Sequence, residues 1–104
     1  MIRGDIYDVQ WPGLGLRPAV IVTRPTAIPY LTNVTVVLVT TRVRGLPTEV
    51  ELGRAHGLVE GSVANCNNVI TIPKTALAAR RGGLGPAEAR ALDDALRIAL
   101  ALDS

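Results

Sequence analysis

The stretch NVTVVLVTT, residues 33–41, constrains the fold more than any other part of this 104-residue chain. β-branched side chains dominate it; a helix would restrict them against the preceding turn, while a pleated strand accommodates them. Its apolar residues run together instead of alternating with polar ones, which marks a strand covered on both faces. Such a strand needs neighbours at its sides and layers above and below. Asp5 to Trp11, Ala19 to Thr23 and Thr48 to Leu52 supply neighbours, each bounded by glycine or proline. In TEVEL, Val50 and Leu52 point inward and Glu49 and Glu51 to water. Ser62 to Cys66 and Val69 to Ile72 read as two further strands paired with each other. About five or six short strands in this length make a strongly curved sheet or small barrel.

The final segment, LGPAEARALDDALRIALALD, changes period. Gly85-Pro86 opens it, and proline is favoured at the first helical position. Leu92, Ala95, Leu96, Ala99 and Leu100 then share one helical face, while Asp93 and Asp94 precede Arg97 on the wet side. The expectation is a mainly β chain with a C-terminal α-helix, forming one domain over residues 1–104. The Arg80-Arg81-Gly82-Gly83 run reads as a turn.

Composition narrows function by exclusion. Aromatic residues make up 3% of the chain and Phe is absent, so base-stacking RNA modules have little to build on. One His and one Cys cannot supply a clustered structural zinc site, and no metal or other cofactor is implied. The same count rules out a two-histidine acid–base pair within one chain and any internal disulfide. A net charge of +2 is compatible with a polyanionic partner. No apolar run is long enough to span a bilayer, and the expected setting is the cytoplasm, with no membrane association. His56, in GRAHGL, reads as a surface loop residue.

Two places could hold an anion. In GLRPAVIVT, Pro18 biases Arg17 toward extended backbone at the mouth of a strand. There its planar fork of donors can meet a phosphate. On these residues alone, a surface arginine lying over the barrel edge is the better-weighted account. Thr40 and Thr41 end the strongest strand, beside Arg42 and Arg44. Their hydroxyls are ordinary strand chemistry or phosphate contacts.

Taken in order, RGDIYDV, RPAVIV, VVLVTT, PTEVEL, SVANCNNVITI and the final helix resemble the MazF/PemK toxins of bacterial toxin–antitoxin systems. The resemblance covers nearly the whole chain. It implies an SH3-like β-barrel with a C-terminal helix, a homodimer, and a metal-independent endoribonuclease acting on single-stranded RNA. It also implies a cognate antitoxin that blocks the basic groove, with Arg24, Arg42 and Arg44 as its expected contacts. By the same resemblance Arg17 and Thr40 are the catalytic pair, with Thr41 the neighbouring alternative; Thr41, Arg42 and Arg44, at the strand end, are candidates for RNA binding. Many relatives carry Arg-Thr-Ile-Asp where this chain has Ile70-Thr71-Ile72-Pro73, so the general acid and base stay unassigned. The first loop, WPGLGL, is also shorter than usual, and the recognition motif is expected to differ. Asn65, Asn67 and Asn68 could read base edges in place of the missing contacts; turn chemistry accounts equally well for Asn67-Asn68. A second reading keeps the fold and changes the class, to a non-enzymatic CcdB-like toxin that binds a protein such as DNA gyrase.

Overall fold

The structure is a computed structural model and describes residues 1–102. Strands β1 (Asp5–Trp11), β2 (Gly15–Ile21), β3 (Asn33–Thr40), β4 (Glu49–Leu52), β5 (Ser62–Pro73) and β6 (Leu77–Gly83) precede helix α1 (Pro86–Leu100). They form one antiparallel sheet in the order β4-β5-β3-β2-β1-β6, curled into a half-barrel. Strand β3 is internal, as its composition requires. Val37 and Val39 face a core shared with Leu92, Ala95 and Leu96 of α1. Val34 and Val36 face a second cluster with Val9, Ala19, Ile21 and Ile72. Both faces of the strand are therefore dry, and the continuous apolar run is explained.

Helix α1 lies against β4 and β5. Glu88 accepts the Gly85 N–H at 3.0 Å, satisfying one donor that the start of a helix would otherwise leave free. Leu100, expected on the buried stripe, is 51% exposed, whereas Ala99 in the same turn packs against the core. Asp94 pairs with Arg97 at 2.8 Å as expected, whereas Asp93 reaches Arg3 at 2.9 Å.

Three expectations need correction. Strand β2 begins at Gly15, not Ala19, because the β1–β2 hairpin closes tightly on a Leu14 N–H to Trp11 carbonyl bond of 3.1 Å. Pro18 is tolerated within it because pairing with β3 begins only at Ala19. Ser62 to Ile72 is not two mutually paired strands. It is one strand, β5, with both halves paired to β3 around a bulge. Val37 opposes Val69 and Leu38 opposes Asn65, so Cys66, Asn67 and Asn68 are extra residues on the β5 side. The Arg80–Gly83 run is not a turn but part of β6, paired with β1.

Strand β6 has no apolar alternation, and two other contacts hold it. Arg80 donates to Asp5 from Nε at 3.3 Å and Nη2 at 3.1 Å. The 3₁₀ turn Arg54–His56, between β4 and β5, also packs directly on the β6 backbone. A Cβ on Gly57 would lie 1.9 Å from the Arg81 carbonyl oxygen, and one on Gly82 would lie 2.1 Å from that of His56. Only glycines allow this approach.

Candidate active site

An open cleft of about 520 Å³ lies where β1 ends, β2 begins, β3 ends and β5 begins. Its size falls within the usual range for ligand sites. Sheet register explains which side chains meet there. Pairing of β2 with β3 runs Ile21 to Val36, Val20 to Val37 and Ala19 to Leu38. Continued by two residues, the same register sets Arg17 against Thr40. Both line the cleft, as does Thr41.

The geometry suits an anion. Arg17 is exposed and has no hydrogen-bond or ion-pair partner among the described residues. The Thr40 hydroxyl accepts the Arg42 N–H at 3.1 Å. That bond occupies an oxygen lone pair and leaves the hydroxyl proton available to a ligand. Leu14, Leu58 and Val59 supply apolar walls. Trp11 also lines the cleft, and its Nε1 is buried with no hydrogen-bond partner among the described residues.

Arg42 and Arg44 lie beyond the cleft, in the exposed 41–47 segment. Glu49 latches this segment: its carboxylate accepts the Arg44 N–H at 3.1 and 3.2 Å and the Leu46 N–H at 3.0 Å. The Leu46 bond leads in holding the Glu49 pKa below its ordinary value, with the bonds and charge of Arg44 adding to it. Asn65, Asn67 and Asn68 sit at the β5 bulge and do not line the cleft. Asn65 Oδ1 accepts the Asn67 N–H at 3.0 Å, and Asn67 Nδ2 donates to Thr48 Oγ1 at 2.9 Å. Of the Ile70–Pro73 segment, Ile70 reaches the cleft while Ile72 is buried in the core.

His56 is not a surface loop residue. Its side chain is 14% exposed, with Nδ1 accepting the Gly53 N–H at 3.2 Å and Nε2 lying 3.2 Å from Glu88 Oε1. A neutral ring with its proton on Nε2 satisfies both bonds, a tautomer assigned from the hydrogen-bond network. Donation from His56 is the leading cause of the lowered Glu88 pKa, and the Gly85 N–H adds to it.

One residue escaped sequence reasoning altogether. Arg81 lines the cleft, and its Nη1 donates to both oxygens of Asp8 at 3.1 and 3.3 Å. The available signal was the Arg80-Arg81 pair itself: on a strand, adjacent residues face opposite sides, so the two arginines need separate partners.

Comparison with known proteins gives the same picture. PemK-like, MazF-like toxins of type II toxin–antitoxin systems match the chain over residues 2–100. Endoribonuclease MazF3 of Mycobacterium tuberculosis is 45% identical over 87 residues, 84% of each chain. The solved Mycobacterium tuberculosis toxin MazF-mt6 superposes with a TM-score of 0.89 at 41% identity, covering 96% of this chain and 99% of its own. A mycobacterial endoribonuclease solved in complex with its cognate antitoxin gives 0.90 at 31% identity, covering 100% of this chain and 98% of its own. These matches show that the chain belongs to the PemK-like, MazF-like toxins of type II toxin–antitoxin systems.

Proposed function

We propose that the protein is an endoribonuclease toxin that cuts single-stranded RNA at short sequence motifs, using the RNA's own 2′-OH as nucleophile. The observation that carries this reading is that Arg17 and Thr40 line one cleft, the threonine's acceptor side already occupied by the Arg42 N–H. Arg17 stabilises charge that develops on the scissile phosphoryl oxygens, and Thr40 donates to the same phosphate. The 2′-oxygen bonds to phosphorus as the bond to the 5′-oxygen breaks. The 2′-OH loses its proton and the departing 5′-oxygen gains one, leaving 2′,3′-cyclic phosphate and 5′-OH ends. No protein nucleophile or metal takes part, and DNA, lacking the 2′-OH, is not cut.

The partners follow from this chemistry. A cognate antitoxin with an acidic segment would cover Arg17 in the cleft and Arg42 and Arg44 beyond it, in the cytoplasm where the RNA is found. Arg24, expected among its contacts, follows the far end of β2, beside the start of β3, and is not part of this surface. The working form is a homodimer.

The test is incubation of purified protein with a long single-stranded RNA in EDTA, followed by mapping of the ends. Discrete cuts with 5′-OH and cyclic-phosphate or 3′-phosphate ends are expected. Arg17→Ala and Thr40→Val should each cut at least about a hundredfold more slowly while melting like the wild type. Undiminished cleavage by folded Arg17→Ala would refute its role. Intact RNA throughout would favour a toxin that binds a protein target.

A further inference from the structure

We propose that Arg81 anchors a second phosphate site, on the opposite face of the strand ends from Arg17, which takes the backbone phosphate of a neighbouring nucleotide. The identity of the bound strand as RNA rests on the proposed ribonuclease activity; the anion site itself does not.

Sheet register separates the two lobes. Residues opposed across an antiparallel pair share a face, and successive residues alternate. Arg17 opposes Val9, whose cluster lies on the face away from α1. Arg17 and Thr40 therefore belong to that face. Asp8 opposes Pro18, one residue out of phase and on the α1 side, and Asp8 holds Arg81. Val39 and Leu58, which line the cleft on that side, belong to the core cluster beneath α1. One cleft thus carries a guanidinium in each lobe, with the strand ends between them.

Arg81 is fixed in place at both ends. Its carbonyl oxygen lies where a Gly57 side chain would have to sit, so the 53–57 turn pins its backbone. Asp8, with its side chain 15% exposed, grips the guanidinium through Nη1 alone. Among the described residues the hydrogen bonds of the Arg81 side chain all run from that nitrogen, and its other donors remain for the cleft. Ser62 nearby cannot take this role, because its hydroxyl donates to the Val59 carbonyl at 2.6 Å. A guanidinium held this way loses little freedom when it meets a phosphate. Two such groups in one cleft suit a ligand with repeating negative charge, such as a single-stranded polynucleotide, better than a single small anion.

The probe is a fluorescein-labelled single-stranded DNA of mixed sequence, which binds without being cut. Its affinity is measured by anisotropy across a salt series. Arg81→Gln keeps a hydrogen bond available to Asp8 but loses the charge. It should bind about tenfold more weakly and lower the slope of log K against log salt by about 0.7, the value for one phosphate contact on a single strand. Arg81→Lys should keep the slope. On RNA, Arg81→Gln should raise KM and leave kcat close to the wild-type value. A wild-type slope for folded Arg81→Gln overturns the proposal, even where Arg17→Ala is inactive and the ribonuclease reading stands. Failure of the wild type to bind DNA overturns it as well. If the wild type cuts no RNA while Arg81→Gln loses slope, the anion site stands and the ribonuclease reading falls. A measurement independent of variant folding is phenylglyoxal modification of the wild type, read by mass spectrometry. Bound DNA should protect Arg81 but not Arg90 of α1, and equal labelling of Arg81 with and without DNA counts against the site.

Discussion

Replacing Gly57 or Gly82 by alanine tests whether the 53–57 turn seals against β6 as described. At Gly57 two costs combine. Its φ of +78° lies in the left-handed region, where a side chain costs about 1–2 kcal/mol. Its Cβ would also lie 1.9 Å from the Arg81 oxygen and 2.7 Å from the Arg81 carbonyl carbon, a backbone clash that only separation relieves. Overpacking of this kind costs about 1–3 kcal/mol, giving a total of about 2–5. Gly82 has no positive φ and should show the steric part alone, about 1–3 kcal/mol. Gly61, at φ +83° with nothing within 4 Å of its added Cβ, isolates the conformational part, about 1–2 kcal/mol. With a urea m-value of about 1.5 kcal/mol/M, a 3 kcal/mol loss moves the midpoint down by about 2 M. The assay is urea unfolding of all three variants and the Gly57→Ala/Gly82→Ala double variant at one protein concentration, since association would shift apparent stability. The double variant should lose less than the sum of the singles, because one separation relieves both clashes. Gly57→Ala no more costly than Gly61→Ala, or Gly82→Ala within about 0.5 kcal/mol of wild type, would refute the contact.

Two predictions concern ionisation. The folded Glu88 carboxyl titrates below its ordinary 4.5, so its contribution to stability is complete above that pH and is lost as pH falls through the folded value. Glu88→Gln should flatten the fall of Tm between neutral and acid pH, and an unchanged profile would count against the His56 contact; Glu49→Gln reports its own lowered group in the same scan. Burial pushes the Cys66 thiol up to about 11. At pH 8 it should therefore resist thiol reagents until urea unfolds the chain, and prompt native-state labelling would contradict its burial.

Local signals made part of this fold legible. Strands β3 and β4 and helix α1 carry their own evidence in apolar runs, alternation and Gly85-Pro86, and they formed where those patterns placed them. Strand β6 could not be read that way. Its residues are small or charged, and its extended form depends on β1, Asp5 and the Gly57–Gly82 approach, all distant in sequence. The β5 bulge was legible only as an interruption at Asn67-Asn68; whether a chain turns back or steps aside there depends on the partner strand. Arg17 and Thr40 stood out singly, but their opposition is a matter of register, which sequence spacing does not reveal. Arg81 and Asp8 lie 73 residues apart and had no local signal joining them.

The Glu49 latch has a consequence for how such a toxin can diverge. The latch grips main-chain amides, which every residue except proline possesses. The conformation of the segment after Thr41 is therefore uncoupled from most of its side-chain identities. Substitutions at Arg42, Val43 or Arg44 alter what the segment presents beside the cleft while its path stays the same, provided that Glu49 is kept and proline avoided at 42, 43, 44 and 46. Recognition can drift in small, tolerated steps, and neither the threonine at the strand end nor the core has to be rebuilt along the way.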